Sequence, residues 1–121
     1  MIVALLAILS LLAVLQVSLA AGAPLGRLAW GGQNRTLPNT QRVGSIVSVA
    51  IYGLIAVVGL DRSGQIDLLA DQVSRIGMWV VFGFFALSIV GNALSRSNLE
   101  RSVMVPTSAV LAVLALMVAL G

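Results

Sequence analysis

Long apolar runs separated by short polar segments make up most of the chain. Four runs are long enough to be helices that cross a bilayer, since about 20 helical residues span the roughly 30 Å hydrocarbon layer. The predicted spans are about 2–21, 41–60, 74–95 and 98–120. The pattern therefore predicts an all-α membrane protein, a bundle of four transmembrane helices that forms a single domain over residues 1–121.

The first run has two interpretations. Ala21-Gly22-Ala23 resembles the small-residue cleavage site of a signal peptide. However, no positively charged segment precedes the run, and its length exceeds the apolar segment of about 7–15 residues that signal peptides contain. The sequence therefore predicts a retained first helix.

Two features mark where the later helices begin. Residues 65–74 place apolar side chains at helical spacing, which predicts an amphipathic lead-in to the third span. Ser97-Asn98-Leu99-Glu100 matches a capping box, in which the serine accepts from a backbone amide and the glutamate reaches back. The fourth helix is therefore expected to begin near Asn98 and to continue through Pro106.

Composition supports the membrane class and removes several functions. Hydrophobic residues make up 60% of the chain and charged residues 9%, whereas soluble chains carry about 25% charged residues. Cysteine and histidine are absent, which excludes thiolate chemistry and removes the commonest general base. No acid is expected to be buried, so the sequence predicts no enzyme, no metal site and no cofactor. The charged residues do not cluster, so no nucleic-acid partner is expected.

Arginine is the only basic residue type, and its distribution predicts the orientation. The connections after the first and third spans and their flanks carry Arg27, Arg35, Arg42, Arg96 and Arg101. The other side carries Arg62 and Arg75. Because cytoplasmic loops hold the excess of positive charge, we expect a multi-pass protein of the bacterial cytoplasmic (inner) membrane with both termini outside. A dual topology stays open with this small bias.

The glycine-rich connection Gly22–Gln33 is the first candidate site. Backbone amides in such a segment can form an anion-binding nest beside a cation. The candidate residues for anion or lipid binding are Gly26, Arg27, Trp30, Gly31 and Gly32. Alternatively, the glycines only permit turns, while the tryptophan and the arginine contact the lipid headgroups.

The same segment carries a resemblance to known proteins. Gly22-Ala23-Pro24, Gly26-Arg27, Ala29-Trp30-Gly31-Gly32 and Leu37-Pro38 resemble a loop of small four-span membrane proteins from high-GC Gram-positive bacteria. The resemblance covers this loop and the flanking helix pattern. It implies the four-helix architecture and no activity.

Polar residues within the apolar runs form the second candidate site. They are Gln16, Ser48, Tyr52, Ser88 and Asn92. They either line a path for a small solute or form separate hydrogen bonds between neighbouring helices. A path requires them to meet in one cavity, whereas separate contacts require them to be dispersed.

No ionisable residue lies in the middle of a predicted span, although such residues usually mark ion-coupled transport. The sequence therefore predicts first an accessory protein that acts through association in the bilayer, as a homo-oligomer or within a larger membrane complex. One alternative is a small uncoupled channel or carrier, and another is a protein that binds a lipid or an anion.

Overall fold

The computed structural model describes residues 2–26, 36–95 and 97–121, and these contain four α-helices. The helices are α1 (Ile2–Ala20), α2 (Asn39–Arg62), α3 (Asp71–Ala93) and α4 (Asn98–Leu120). Their bounds lie within a few residues of the predicted spans, and α4 continues through Pro106 as expected. The described residues contain no strand.

The four helices form an all-α membrane bundle. Each is long and apolar enough to cross a bilayer, so the chain is a multi-pass membrane protein. Large apolar side chains such as Leu87, 74% exposed, point outward from the bundle, where lipid takes the place of water. Neighbours in sequence pack side by side, and α4 also contacts α1, which closes the bundle.

A glycine with a positive φ angle follows the C-terminal end of two helices. Gly22 follows α1 with φ +100°, and Gly64 follows α2 with φ +84°, a backbone conformation that favours glycine. At the first site, the Gly22 amide donates to Leu19 O at 3.1 Å and the Ala23 amide donates to Ser18 O at 2.9 Å. This pairing is a Schellman motif, and it satisfies carbonyl groups that the helix end leaves free.

The lead-in to the third span differs from the prediction. Residues 66–70 are not helical, and α3 begins only at Asp71. The Asp61 carboxylate accepts hydrogen bonds from the Leu68 and Leu69 amides at 2.8 and 2.7 Å. Such bonds from a side chain to backbone amides compete with helix formation. They hold this segment outside the helix that the spacing of its apolar residues favours.

One end of the bundle is closely packed. It contains the starts of α1 and α3 and the ends of α2 and α4, and we call it the packed half. Its buried side chains include Leu5, Ile55, Met78, Ala115 and Val118. These five are apolar, as the hydrophobic pattern predicts, and the polar residues Asp61 and Ser74 are also buried at this end.

Close contacts between backbones and side chains also stabilise the packed half. The helices approach so closely at Gly77 that a Cβ atom there would lie 2.9 Å from Val58 Cγ1. The guanidinium group of Arg62 donates two hydrogen bonds to Ala119 O, at 3.0 and 3.3 Å. That carbonyl lies in the last turn of α4, where it has no partner within the helix.

Candidate functional site

A polar cavity lies at the opposite end of the bundle, among the ends of α1 and α3 and the starts of α2 and α4. We call this end the cavity half. The cavity has a volume of about 190 Å³. Its polar lining residues are Gln16, Ser48, Tyr52, Ser88, Asn92, Glu100, Thr107 and Ser108. Drug-sized ligands occupy pockets of about 300–1,000 Å³, so this volume suits an ion or a solute of few atoms.

All five residues of the second candidate site line this one cavity. Gln16 comes from α1, Ser48 and Tyr52 from α2, and Ser88 and Asn92 from α3. The sequence did not decide whether these side chains share one cavity or are dispersed. The structure places all five in one cavity. Position along the helix places these residues at one level of the bundle, where the ends of α1 and α3 lie beside the start of α2.

Asn92 both lines the cavity and joins two helices. Its Nδ2 atom donates to Ser108 Oγ on α4 at 2.7 Å and lies 3.5 Å from Met104 O. The two interpretations of this residue are therefore compatible. The interhelical hydrogen bond fixes the side chain, and the amide oxygen is left for another partner.

Three hydroxyl groups of the cavity are held by their own helices. Ser48 Oγ donates to Gly44 O at 3.0 Å, and Ser88 Oγ donates to Phe84 O at 2.9 Å. Thr107 Oγ1 donates to Val103 O at 2.6 Å. Each hydroxyl proton is thereby engaged, so each of these side chains can offer only its oxygen lone pairs to an occupant.

Glu100 also lines the cavity and is only 4% exposed, although the sequence did not single it out as a site residue. The expectation that no acid is buried was wrong. Half of the predicted capping box is present, since the Glu100 amide donates to Ser97 Oγ at 3.2 Å. The other half is replaced: the Ser97 amide donates to Ser95 Oγ at 3.1 Å, so the glutamate is not needed there.

A signal in the sequence could have revealed Glu100. Met104, Thr107, Ser108 and Leu111 follow it at intervals of four, seven, eight and eleven residues, which places them on one helical face. All five line the cavity. The capping-box motif already explained a glutamate at this position. The motif therefore gave no reason to assign Glu100 to this partly polar face.

The inner end of the cavity is closed by apolar side chains. Phe85 and Leu111 line it, and each is 2% exposed. Along α4 the cavity extends from Glu100 to Leu111, or about 16 Å at 1.5 Å per residue. This is roughly half of the hydrocarbon thickness, and the packed half fills the remainder.

The first candidate site falls mostly outside the described residues. Arg27, Trp30, Gly31 and Gly32 belong to the segment 27–35, which is not described. Gly26 is described and is buried. Binding of an anion or a lipid at this connection therefore stays a prediction.

The described residues contain no group of three or more histidine, cysteine, aspartate or glutamate side chains that could hold a metal ion. Comparison with known proteins adds no constraint, because no family model, curated protein or solved structure matches the chain. The cavity must therefore be interpreted from its own geometry. That geometry defines a small multi-pass membrane protein with a polar cavity that extends from one end of a four-helix bundle to about its middle.

Proposed function

We propose that this protein is a small uncoupled carrier that moves a small polar solute across the bacterial cytoplasmic membrane. The observation that supports the proposal is the convergence of polar side chains from all four helices on one cavity. Intramembrane polar groups are costly unless they pair or face a cavity. Pairwise hydrogen bonds would satisfy them equally well if they were dispersed, so their convergence favours a solute site.

The packed half favours a carrier over an open pore. A pore requires a continuous polar path, whereas here Phe85 and Leu111 close the cavity and apolar side chains fill the region beyond it. Transport would therefore require the packed half to open in a second conformation. With both termini outside, as the arginine distribution predicts, the cavity faces the cytoplasm.

An accessory role within a larger membrane complex stays an untested prediction. Such a role does not require the polar residues to share a cavity, so it does not explain why they do.

Flux measurements in proteoliposomes test the proposal. We expect uptake of small polar solutes and ions above that of empty vesicles, and we expect Ser48→Leu to abolish it by filling the cavity. Ser10→Leu is the matched control, because Ser10 also donates to a carbonyl of its own helix, Leu6 O at 2.8 Å, but lies on an exposed face. It should leave flux unchanged.

Two outcomes would overturn the carrier. One is the absence of flux for the whole panel when circular dichroism and gel filtration show a folded protein. The other is an equal loss of flux in both serine variants, which would indicate a general effect on the bundle rather than a blocked cavity.

A further inference from the structure

The hydrogen-bonding groups that the cavity leaves available to an occupant are mostly acceptors. The protons of Ser48, Ser88 and Thr107 are directed to carbonyl groups of their own helices. Each of these side chains can then offer an occupant only oxygen lone pairs. The donors that remain are the hydroxyls of Tyr52 and Ser108 and the amide of Gln16. None of them is charged, so the lining favours a cation or an N–H donor over an anion.

The two side-chain amides add to this character. Nδ2 of Asn92 is directed to Ser108 Oγ and Met104 O, which leaves its carbonyl oxygen as the available group. Oε1 of Gln16 is buried and has no hydrogen-bond partner among the described residues. A buried acceptor without a donor costs about 1–3 kcal/mol, so an occupant that approaches it with positive charge would be stabilised.

Glu100 supplies a negative charge at the same place. The residue is 96% buried and lines the cavity. The adjacent Arg101 is exposed and donates instead to Ser95 O, at 3.2 Å, and to Asn98 Oδ1. Burial of a carboxylate is costly unless a positive charge lies close to it, and a cation in the cavity would offset that cost.

We propose that the solute is a small monovalent cation, either an alkali ion or a small ammonium ion, with Glu100 as its counter-ion. This inference rests on the proposed function, whose site it shares. A single carboxylate does not match the several charged oxygen ligands that calcium takes. The aromatic rings of Tyr52, Phe84 and Phe85 also line the cavity, and aromatic faces attract weakly hydrated cations.

Binding to the purified full-length protein in phosphatidylcholine nanodiscs tests the inference. Potassium chloride and methylammonium chloride are the two probes, with bulky N-methyl-D-glucamine as the background cation. We expect a saturable rise in melting temperature with at least one probe, because a ligand that binds only the folded state stabilises it. A response to potassium alone would identify an alkali ion, and a response to methylammonium alone would identify an ammonium ion.

Glu100→Gln keeps the size of the side chain and removes its charge, and it should weaken the binding at least about tenfold. Asp67→Asn makes the same change of charge at an exposed acid outside the cavity and should bind as the wild type does. The melting temperature without probe confirms that both variants fold. The inference is overturned if the wild type shows no saturable response or if Glu100→Gln binds as tightly as the wild type.

The two proposals fail in different ways. Saturable cation binding without flux in proteoliposomes would retain the cation site and reject the carrier. Flux of neutral solutes that Glu100→Gln leaves unchanged, together with no cation binding, would retain the carrier and reject the cation.

Discussion

The two ends of the bundle are built from the same four helices but differ in what lies between them. In the packed half, mainly apolar side chains and closely spaced backbones fill the interior. In the cavity half, hydroxyl, amide and carboxylate groups surround a space of about 190 Å³. Lipid surrounds both ends, so the solvent does not account for the difference.

The comparison shows how a cavity between membrane helices affects the contacts that hold the helices together. Helix association in lipid depends on packing and interhelical hydrogen bonds, because the lipid chains are as apolar as the helix surfaces. A bundle that leaves a cavity gives up packing contacts in that region. The packed half supplies the contacts that compensate, so it can hold the helices together while the cavity half leaves room for the proposed solute.

Chemical labelling is expected to give the largest contrast between the halves. The chain has no native cysteine, so single cysteines report without interference. Ser88 and Ser74 both lie on α3 and donate to carbonyls of their own helix, but Ser88 lines the cavity and Ser74 is buried at the other end. Ser88→Cys should react at least about a hundredfold faster with a small cationic methanethiosulfonate, since a cysteine at 74 reacts only after local opening.

The experiment uses inside-out membrane vesicles, which expose the cytoplasmic side of the protein to the reagent. Leu87→Cys is the control, because Leu87 faces lipid. Ser88→Cys should be labelled in these vesicles and Leu87→Cys should not. Equal reactivity at 74 and 88 would contradict the division of the bundle into two halves.

Truncation of methionine should give the next largest contrast. Met78 is fully buried in the packed half, whereas Met104 lines the cavity. We expect Met78→Ala to lose about 2 kcal/mol of unfolding free energy, near the lower end for buried truncations because lipid still solvates the unfolded helices. Met104→Ala should lose less than about 1 kcal/mol, since it only enlarges an existing space.

Titration of the protein in dodecylmaltoside with sodium dodecyl sulfate measures both unfolding free energies. A loss at Met104 that matches the loss at Met78 would show that the cavity half is packed as tightly in solution as the other end.

Substitution of glycine should give the smallest contrast. A methyl group on Gly77 would lie 2.9 Å from Val58 Cγ1, whereas one on Gly83 would meet nothing within 4 Å. Gly77→Ala should therefore lose about 1 kcal/mol, because the crowding outweighs the gain in helix propensity. Gly83→Ala should leave the unfolding free energy unchanged or raise it, and the same titration measures both. A neutral Gly77→Ala would indicate that α2 and α3 can separate at no cost.

The site could be predicted from the sequence only in part. Asn92 and Gln16 stand out because polar side chains are rare within apolar runs. Glu100 did not stand out, because a capping motif explained its presence at a helix start. Asp61 lies in a turn motif, and only the structure shows its carboxylate accepting the Leu68 and Leu69 amides.

The sequence alone determined the class of the protein and the number of its helices. Runs of about 20 apolar residues have few stable states other than membrane helices, since each helix satisfies its own backbone hydrogen bonds within lipid. Glycine at 22 and 64 likewise marks helix ends, because the local backbone conformation requires it. These properties depend on local sequence and on the solvent.

Only the tertiary structure decided which polar residues meet. Gln16, Ser48, Asn92 and Glu100 are far apart in sequence, and their grouping depends on the rotation of each helix about its axis and on which helices are neighbours. Weakly amphipathic membrane helices do not encode that rotation in their hydrophobic pattern, because lipid accepts any apolar face. The packing of the four helices against one another determines the rotation of each helix. The cavity and its buried carboxylate follow from that packing.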